Sequence, residues 1–193
     1  MITDAQLAPP VPDRKINIVQ GEQHVDDDPR TVLTTILGSC IAACIWDGVA
    51  GLGGMNHFLL PGNDADMKNR QPGGDAMRFG VHAMELLVNG LLRRGAQRNR
   101  LQAKLFGGAR MIKGLTDIGE LNARFAERFL QAEGIAFAGG SLRGEQGRRI
   151  QFWPVSGRAR QVLLAKETES ILQAERSRPA PAMPPSQGAV ELF

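Results

Sequence analysis

Thr31-Val32-Leu33-Thr34-Thr35-Ile36-Leu37-Gly38-Ser39-Cys40-Ile41-Ala42-Ala43-Cys44-Ile45-Trp46-Asp47-Gly48-Val49-Ala50 reads as two buried strands separated by a turn of small residues. Thr31–Ile36 is β-branched and apolar, and Cys40–Trp46 is an unbroken apolar run, the pattern of buried strands. Asp47-Gly48 signals a tight turn, and Leu52–Leu60 reads as a third strand. With Gly48-Val49 as a two-residue loop and Gly48 in the first central position of a type II′ turn, Asp47 pairs with Ala50 and Cys40 falls opposite His57. Directly opposed residues share a face, with Cβ atoms about 4.5–5.5 Å apart. Gly53-Gly54 is where a bulge would shift the register by one and turn His57 to the other face.

Downstream, Met77, Val81, Met84, Leu87, Val88 and Leu91 recur at helical spacing over 76–92, and Arg93-Arg94-Gly95 closes that helix. Leu101–Phe106 reads as a strand running into Gly107-Gly108. A second helix is predicted from Gly119-Glu120 to Glu133, ended by Gly134. Ile135–Ala138, Arg149–Val155 and Gln161–Ala165 read as closing strands. The class is α/β: a mixed, layered sheet with helices packed on it and an early β-hairpin.

The chain of 193 residues suits one core. Residues 1–15 read as a flexible leader, 16–174 as the domain, and 175–193 as a proline-rich flexible tail, whose apolar end Ala189–Phe193 reads either as a plain terminus or as a docking peptide. A net charge of +3 argues against an electrostatic nucleic-acid binder. No run of roughly 18 apolar residues spans a membrane. Without a signal peptide or a disulfide framework, the chain reads as cytoplasmic and reduced.

A thiol beside an imidazole is a nucleophile with its own base. Cys40 and His57 are therefore the candidate catalytic pair; the bland alternatives are a buried inert thiol and a satisfied core histidine. The small residues Gly38 and Ser39 let a substrate approach the backbone, whose N–H groups would form an oxyanion hole. Thr34 or Thr35 supplies a hydroxyl to orient the imidazole, whereas Asn56 points to the opposite face. Cys44 lies mid-strand and reads as core; His24 sits in an acidic loop and His82 in a helix. No metal site is expected, because Cys40, Cys44 and His57 lack a fourth ligand at metal-site spacing. Gly107-Gly108-Ala109 lacks the Lys and Ser/Thr of a phosphate loop. Arg93, Arg94, Arg98 and Arg100 read as a solvated helix end, with a patch for an acidic partner as the alternative.

These motifs together resemble the chemoreceptor glutamine deamidases of bacterial chemotaxis, the CheD family. The resemblance rests on Leu37-Gly38-Ser39-Cys40, on Gly54-Met55-Asn56-His57-Phe58-Leu59-Leu60-Pro61 and on Ala103-Lys104-Leu105-Phe106-Gly107-Gly108-Ala109. Ile118-Gly119 with Asn122, and Gly139-Gly140 before Gly147-Arg148-Arg149, extend it. It departs from the family at Asn56 and at Glu120-Leu121. It implies an α/β/α layered fold with Cys40 as nucleophile, His57 as base and Thr34 as the orienting hydroxyl. Gly107 and Gly108 then shape the substrate groove, and the polar loop between Pro61 and Gly74 is a candidate rim.

The activity so implied is hydrolysis of glutamine side chains on methyl-accepting chemotaxis receptors, through a Cys40 thioester and without metal or organic cofactor. The family also implies a chemotaxis phosphatase partner of the CheC type, so the competing reading is an adaptor with little turnover. A third is a transglutaminase-like transfer to an amine.

Overall fold

The structure, a computed structural model, describes residues 13–61, 74–111 and 118–164. Its strands are β1 (Arg14–Asn17), β2 (Gln23–Asp26), β3 (Thr31–Leu37), β4 (Ile41–Asp47), β5 (Leu52–Asn56), β6 (Gln102–Gly107), β7 (Ala136–Leu142), β8 (Arg148–Trp153) and β9 (Arg158–Leu163). The helices are α1 (Gly74–Arg93) and α2 (Ile118–Ala132), with one 3-10 turn at Arg98–Arg100.

The strands form two sheets, ordered β1-β3-β8-β9 and β2-β5-β4-β6-β7. Parallel pairing of β1 with β3 and of β6 with β7 makes both sheets mixed. Every residue of β4 is buried, because this strand is central and covered on both faces. Its odd-numbered side chains, Ile41, Ala43 and Ile45, meet Met84, Leu87 and Leu91 of α1 and Ala126 and Phe129 of α2. Its even-numbered ones, Cys40 just before the strand and then Ala42, Cys44 and Trp46, meet Leu33, Leu37, Ile150 and Phe152 of the other sheet. Each fully buried side chain of Leu or Ile size contributes about 1.5–3 kcal/mol to holding the layers together.

The α/β class and the early hairpin are as read from the sequence. The layering differs: helices cover one face of the five-stranded sheet, and the four-stranded sheet covers the other where an α/β/α sandwich has helices. Two short strands went unread. β1 opens at Arg14, inside the predicted leader, and β2 contains His24, where the sequence predicts a loop. Both are edge strands of four residues, too short for periodicity to register.

The hairpin has a different turn. Asp47 pairs with Leu52, not Ala50, and the ladder runs through Trp46–Gly53, Ile45–Gly54 and Cys44–Met55. The buried Asp47 carboxylate causes this: Oδ1 accepts the N–H of Val49 and of Ala50, each at 3.0 Å, holding a four-residue loop. The left-handed residue is Gly51, at φ 68°, rather than Gly48. Gly53-Gly54 forms no bulge, and both glycines are required by space. A Cβ would sit 2.4 Å from Pro154 O at Gly53 and 2.6 Å from His24 O at Gly54. The register irregularity lies instead between Ala103 and Leu105, where β6 meets β7.

Three of the four clustered arginines pair within the fold: Arg94 with Asp27, Arg98 with Glu133 and Arg100 with Asp47. Residues 62–73, most of the candidate rim, and the 175–193 tail lie outside the described residues.

Candidate active site

Gly38, Ser39 and Cys40 carry the chain from β3 in one sheet to β4 in the other. All three of their carbonyls are held. Ala109 N donates to Gly38 O at 2.9 Å and Gly108 N to Cys40 O at 2.8 Å. Asn122 Nδ2 donates to Ser39 O at 2.8 Å, while Asn122 Oδ1 accepts Leu60 N at 3.0 Å. Asn122 is fully buried, so α2 fixes the turn from beneath. Gly107, at φ 110°, packs so closely that a Cβ would lie 2.0 Å from Cys40 O; at Gly108 it would meet Gly119 O at 2.9 Å. The two glycines thus brace the turn that carries Cys40.

The observed register changes the relation of Cys40 to His57. Phe58, not His57, is bridged to Ile41, with both backbone bonds at 2.9 Å. This displaces the predicted pairing by two residues, which preserves the face because side chains alternate with period two. Cys40 and His57 become diagonal rather than opposed, a spacing of roughly 7 Å between Cβ atoms in a regular ladder. At Asn56 the side chain enters the ladder: Ala43 N donates to Oδ1, and Nδ2 donates to Ala83 O on α1, each at 3.0 Å. Asn56 does face away from the site, as expected, yet it pins the backbone just before His57.

His57 bonds instead to the turn between β1 and β2. Its N–H donates to Glu22 O at 3.0 Å and its carbonyl accepts Gly21 N at 2.8 Å. The imidazole enters the gap between the sheets, where Nδ1 lies 2.9 Å from Thr35 Oγ1. The Thr35 hydroxyl donates to Ile18 O at 2.7 Å, so the lone pairs of Oγ1 face the ring. Nδ1 is then the protonated nitrogen and Nε2 carries the lone pair. Nε2 is buried and has no hydrogen-bond partner among the described residues. Burial pushes the His57 pKa down to about 4, against smaller opposing contributions from the bond to Ile18 O and the charge of Glu22.

Thr34 is not in this chain of bonds. Its Oγ1 donates to Ile150 O at 2.9 Å, on the other face of β3. The geometry therefore gives the hydroxyl at the imidazole to Thr35, correcting the assignment drawn from the resemblance. The physical reason is strand alternation: Thr35 shares a face with Leu33 and Leu37, which pack between the sheets.

Cys40 is buried, and its thiol donates to Gln20 Oε1 at 3.5 Å. Cys44 is wholly buried in the core, where desolvation drives its thiol pKa far above the ordinary value despite the nearby Lys104 charge. Among the described residues no group of three or more His, Cys, Asp and Glu side chains is placed to hold a metal ion. No described helix is long and apolar enough to cross a membrane. The residues missed in the sequence are Ile18, Gln20, Gly21 and Glu22. The one signal for them is Gly21-Glu22 between two short apolar stretches, a turn whose glycine adopts φ 89°.

Comparison with known proteins covers the whole site. A family model described as CheD chemotactic sensory transduction matches residues 59–162, just beyond His57. Relatives extend the match through Cys40 and His57. A protein of Acidiphilium cryptum (strain JF-5) named probable chemoreceptor glutamine deamidase CheD is 64% identical over 192 residues, covering 100% of both chains. Proteins of the same name from Caulobacter sp. (strain K31) and Sinorhizobium medicae (strain WSM419) are 54% and 50% identical over 181 residues. Each match covers 93% of this chain, and 93% and 96% of the respective relatives. Among solved structures, Neisseria meningitidis protein NMB0706 overlaps 63% of this chain and 53% of its own at 11% identity and a TM-score of 0.41. With near-complete coverage at these identities, the chain belongs to the CheD family.

Proposed function

We propose that this protein is a chemoreceptor glutamine deamidase that hydrolyses receptor glutamine side chains to glutamate and ammonia, with Cys40 as nucleophile and His57 as base. The observation that carries this reading is a buried imidazole whose Nδ1 is committed to Thr35 and whose Nε2 is left as an acceptor. A lowered His57 pKa favours a neutral ring at rest, one able to take a proton as attack proceeds.

Cys40 Sγ attacks the carboxamide carbon while its proton passes to His57 Nε2. The oxyanion is assigned to the N–H groups of the Ser39–Cys40 turn, whose carbonyls are already turned inward and held. The C–N bond then breaks, His57 returns the proton to the leaving amine, and ammonia departs from a thioester. Water attacks that thioester with His57 as base, the C–S bond breaks, and the thiol is restored with a carboxylate as product. The Thr35 hydroxyl holds the ring in the tautomer each step needs. The substrate is a glutamine on the helical bundle of a methyl-accepting receptor, in the cytoplasm, and a phosphatase of the CheC type is a further partner.

Mass spectrometry of receptor cytoplasmic fragments tests the reading. A gain of about 1 Da at particular glutamines, absent with Cys40→Ala and His57→Ala, is the expected result of amide hydrolysis. Stable receptor binding without any mass shift sinks the enzyme in favour of an adaptor, and a heavier product formed with added amines points to a transferase. Retention of a CheC-type protein on the immobilised chain tests the second partner, and its failure to bind removes that partner alone.

A further inference from the structure

The bond made by the nucleophile leads away from its base. Cys40 donates to Gln20 Oε1 at 3.5 Å, while Nε2 of His57, a residue only 5% exposed, has no hydrogen-bond partner among the described residues. A buried acceptor left unmatched costs about 1–3 kcal/mol, so the site gains when a donor reaches it. Gln20 lies in the β1–β2 turn, the same turn that takes both backbone groups of His57. It is exposed and is followed by Gly21, around which a Cβ would meet nothing within 4 Å. Its carboxamide can therefore swing out without unpacking the core. It is also the functional group that the reaction attacks.

We propose that Gln20 is a resting-state occupant of the nucleophile, holding the Cys40 thiol on its own carboxamide oxygen until a substrate glutamine displaces it. This rests on the deamidase reading and adds an internal competitor to it. At rest the thiol proton stays on sulfur and points to Gln20 Oε1. A contact through hydrogen to the oxygen, rather than from sulfur to the carbon, leaves the Gln20 amide intact. When a substrate carboxamide enters, Gln20 leaves and the S–H turns to His57 Nε2, which gains its missing partner as attack begins. Gln20 is in this sense a positioning residue, one that keeps the thiol turned from its base until a competing carboxamide arrives.

Alkylation of Cys40 by iodoacetamide, followed by mass spectrometry between about pH 6 and 8, tests this without any receptor, because only thiolate reacts. Gln20→Ala is expected to raise the rate by about threefold or more, with an unchanged circular dichroism spectrum and with the buried Cys44 unlabelled. The double variant Gln20→Ala/His57→Ala should react no faster than His57→Ala. An equal or slower rate for Gln20→Ala overturns the proposal. So does a gain that persists without His57, since that reports loosened packing. With receptor fragments, Gln20→Ala should raise kcat/KM through a lower KM, and a raised KM counts against an internal competitor. If wild-type protein leaves receptor mass unchanged while the alkylation pattern holds, the deamidase reading fails and the Gln20 contact stands.

Discussion

Thr35 Oγ1 lies 2.9 Å from His57 Nδ1, and donates its own hydrogen bond to Ile18 O at 2.7 Å. This two-bond relay runs from the chain just after one edge strand, through the four-stranded sheet, to the imidazole. Its direction is fixed because a backbone carbonyl only accepts.

Replacing Thr35 by valine removes the relay and lets the ring rotate or change tautomer. Receptor deamidation should slow by about tenfold or more, the effect of losing one well-placed bond of at least 1.4 kcal/mol, and Thr35→Ser should restore most of it. Thr34→Val should instead cost about 1 kcal/mol of stability through the lost bond to Ile150 O, with the rate changed by less than about twofold. Rates by mass spectrometry and urea denaturation separate the two; the reverse pattern would return the role to Thr34.

Stability should fall in mild acid because of His57. Its folded pKa, lowered to about 4, lies below the ordinary 6.5, so the unfolded chain binds the proton first. The contribution is fully present above pH 6.5 and is lost as pH falls toward 4, a loss on the order of 3 kcal/mol. His57→Phe should abolish this part of the pH profile. Asp26 acts in a lower window. Burial would raise its pKa, but bonds from Asp28 N, Thr31, His24 and Arg14 outweigh that and hold it at about 2, so its contribution falls away between 3.8 and 2. NMR titration of His57 together with denaturation at stepped pH checks both windows.

The turn after β4 makes a sharp test of register. Gly48→Ala should change stability by less than about 0.5 kcal/mol, since the nearest atom to a Cβ there is 3.9 Å away and no left-handed φ is required. Gly51→Ala, at φ 68°, should cost about 1 kcal/mol. Gly53→Ala, driving a Cβ to 2.4 Å from Pro154 O, should cost about 3 kcal/mol or more. Thermal denaturation that ranks Gly48→Ala as the worst of the three would favour the two-residue turn.

Asp47 should be among the most costly polar residues to remove. Its buried carboxylate takes Arg100 Nε and Nη2 and the N–H groups of Gln97, Val49 and Ala50. Those bonds hold its pKa well below the carboxylate range although burial alone would raise it. Asp47→Ala strands three amides and a guanidinium, and should destabilise by about 3 kcal/mol or more. A loss under 1 kcal/mol in urea denaturation would show that water replaces these bonds.

Asn122 should matter to the reaction although it lies beneath the site. It ties Ser39 O to Leu60 N, so Asn122→Leu releases the turn that carries Cys40. The expected result is a drop of about tenfold in kcat/KM with loss of stability of about 2 kcal/mol. Full activity in a destabilised variant would confine Asn122 to folding.

The legible parts of the sequence were those with strong local signals. The unbroken run Cys40–Trp46 announced a buried strand, and the spacing of Met84, Leu87, Val88 and Leu91 announced α1. The hairpin and its facing parity followed from Asp47-Gly48 and period two, so Cys40 and His57 could be placed on one face despite a turn two residues longer than expected. Gly53-Gly54 resembled a bulge because flexibility and close packing call for the same residue, and only Pro154 O and His24 O reveal which applies.

By itself, then, the sequence determined the class, the central strands and the family, and it proposed the thiol–imidazole pair; all of these rest on residues near in the chain or on motifs. The tertiary structure decided what lies against that pair. Thr35 replaced Thr34 at the imidazole because β3 belongs to a second sheet facing the first. Gln20 reached the thiol because β1 and β2 belong to different sheets and their connecting turn crosses the gap between them. Contacts made across separate sheets leave no period in the sequence, since what fixes them is the packing of two layers and the path of a turn.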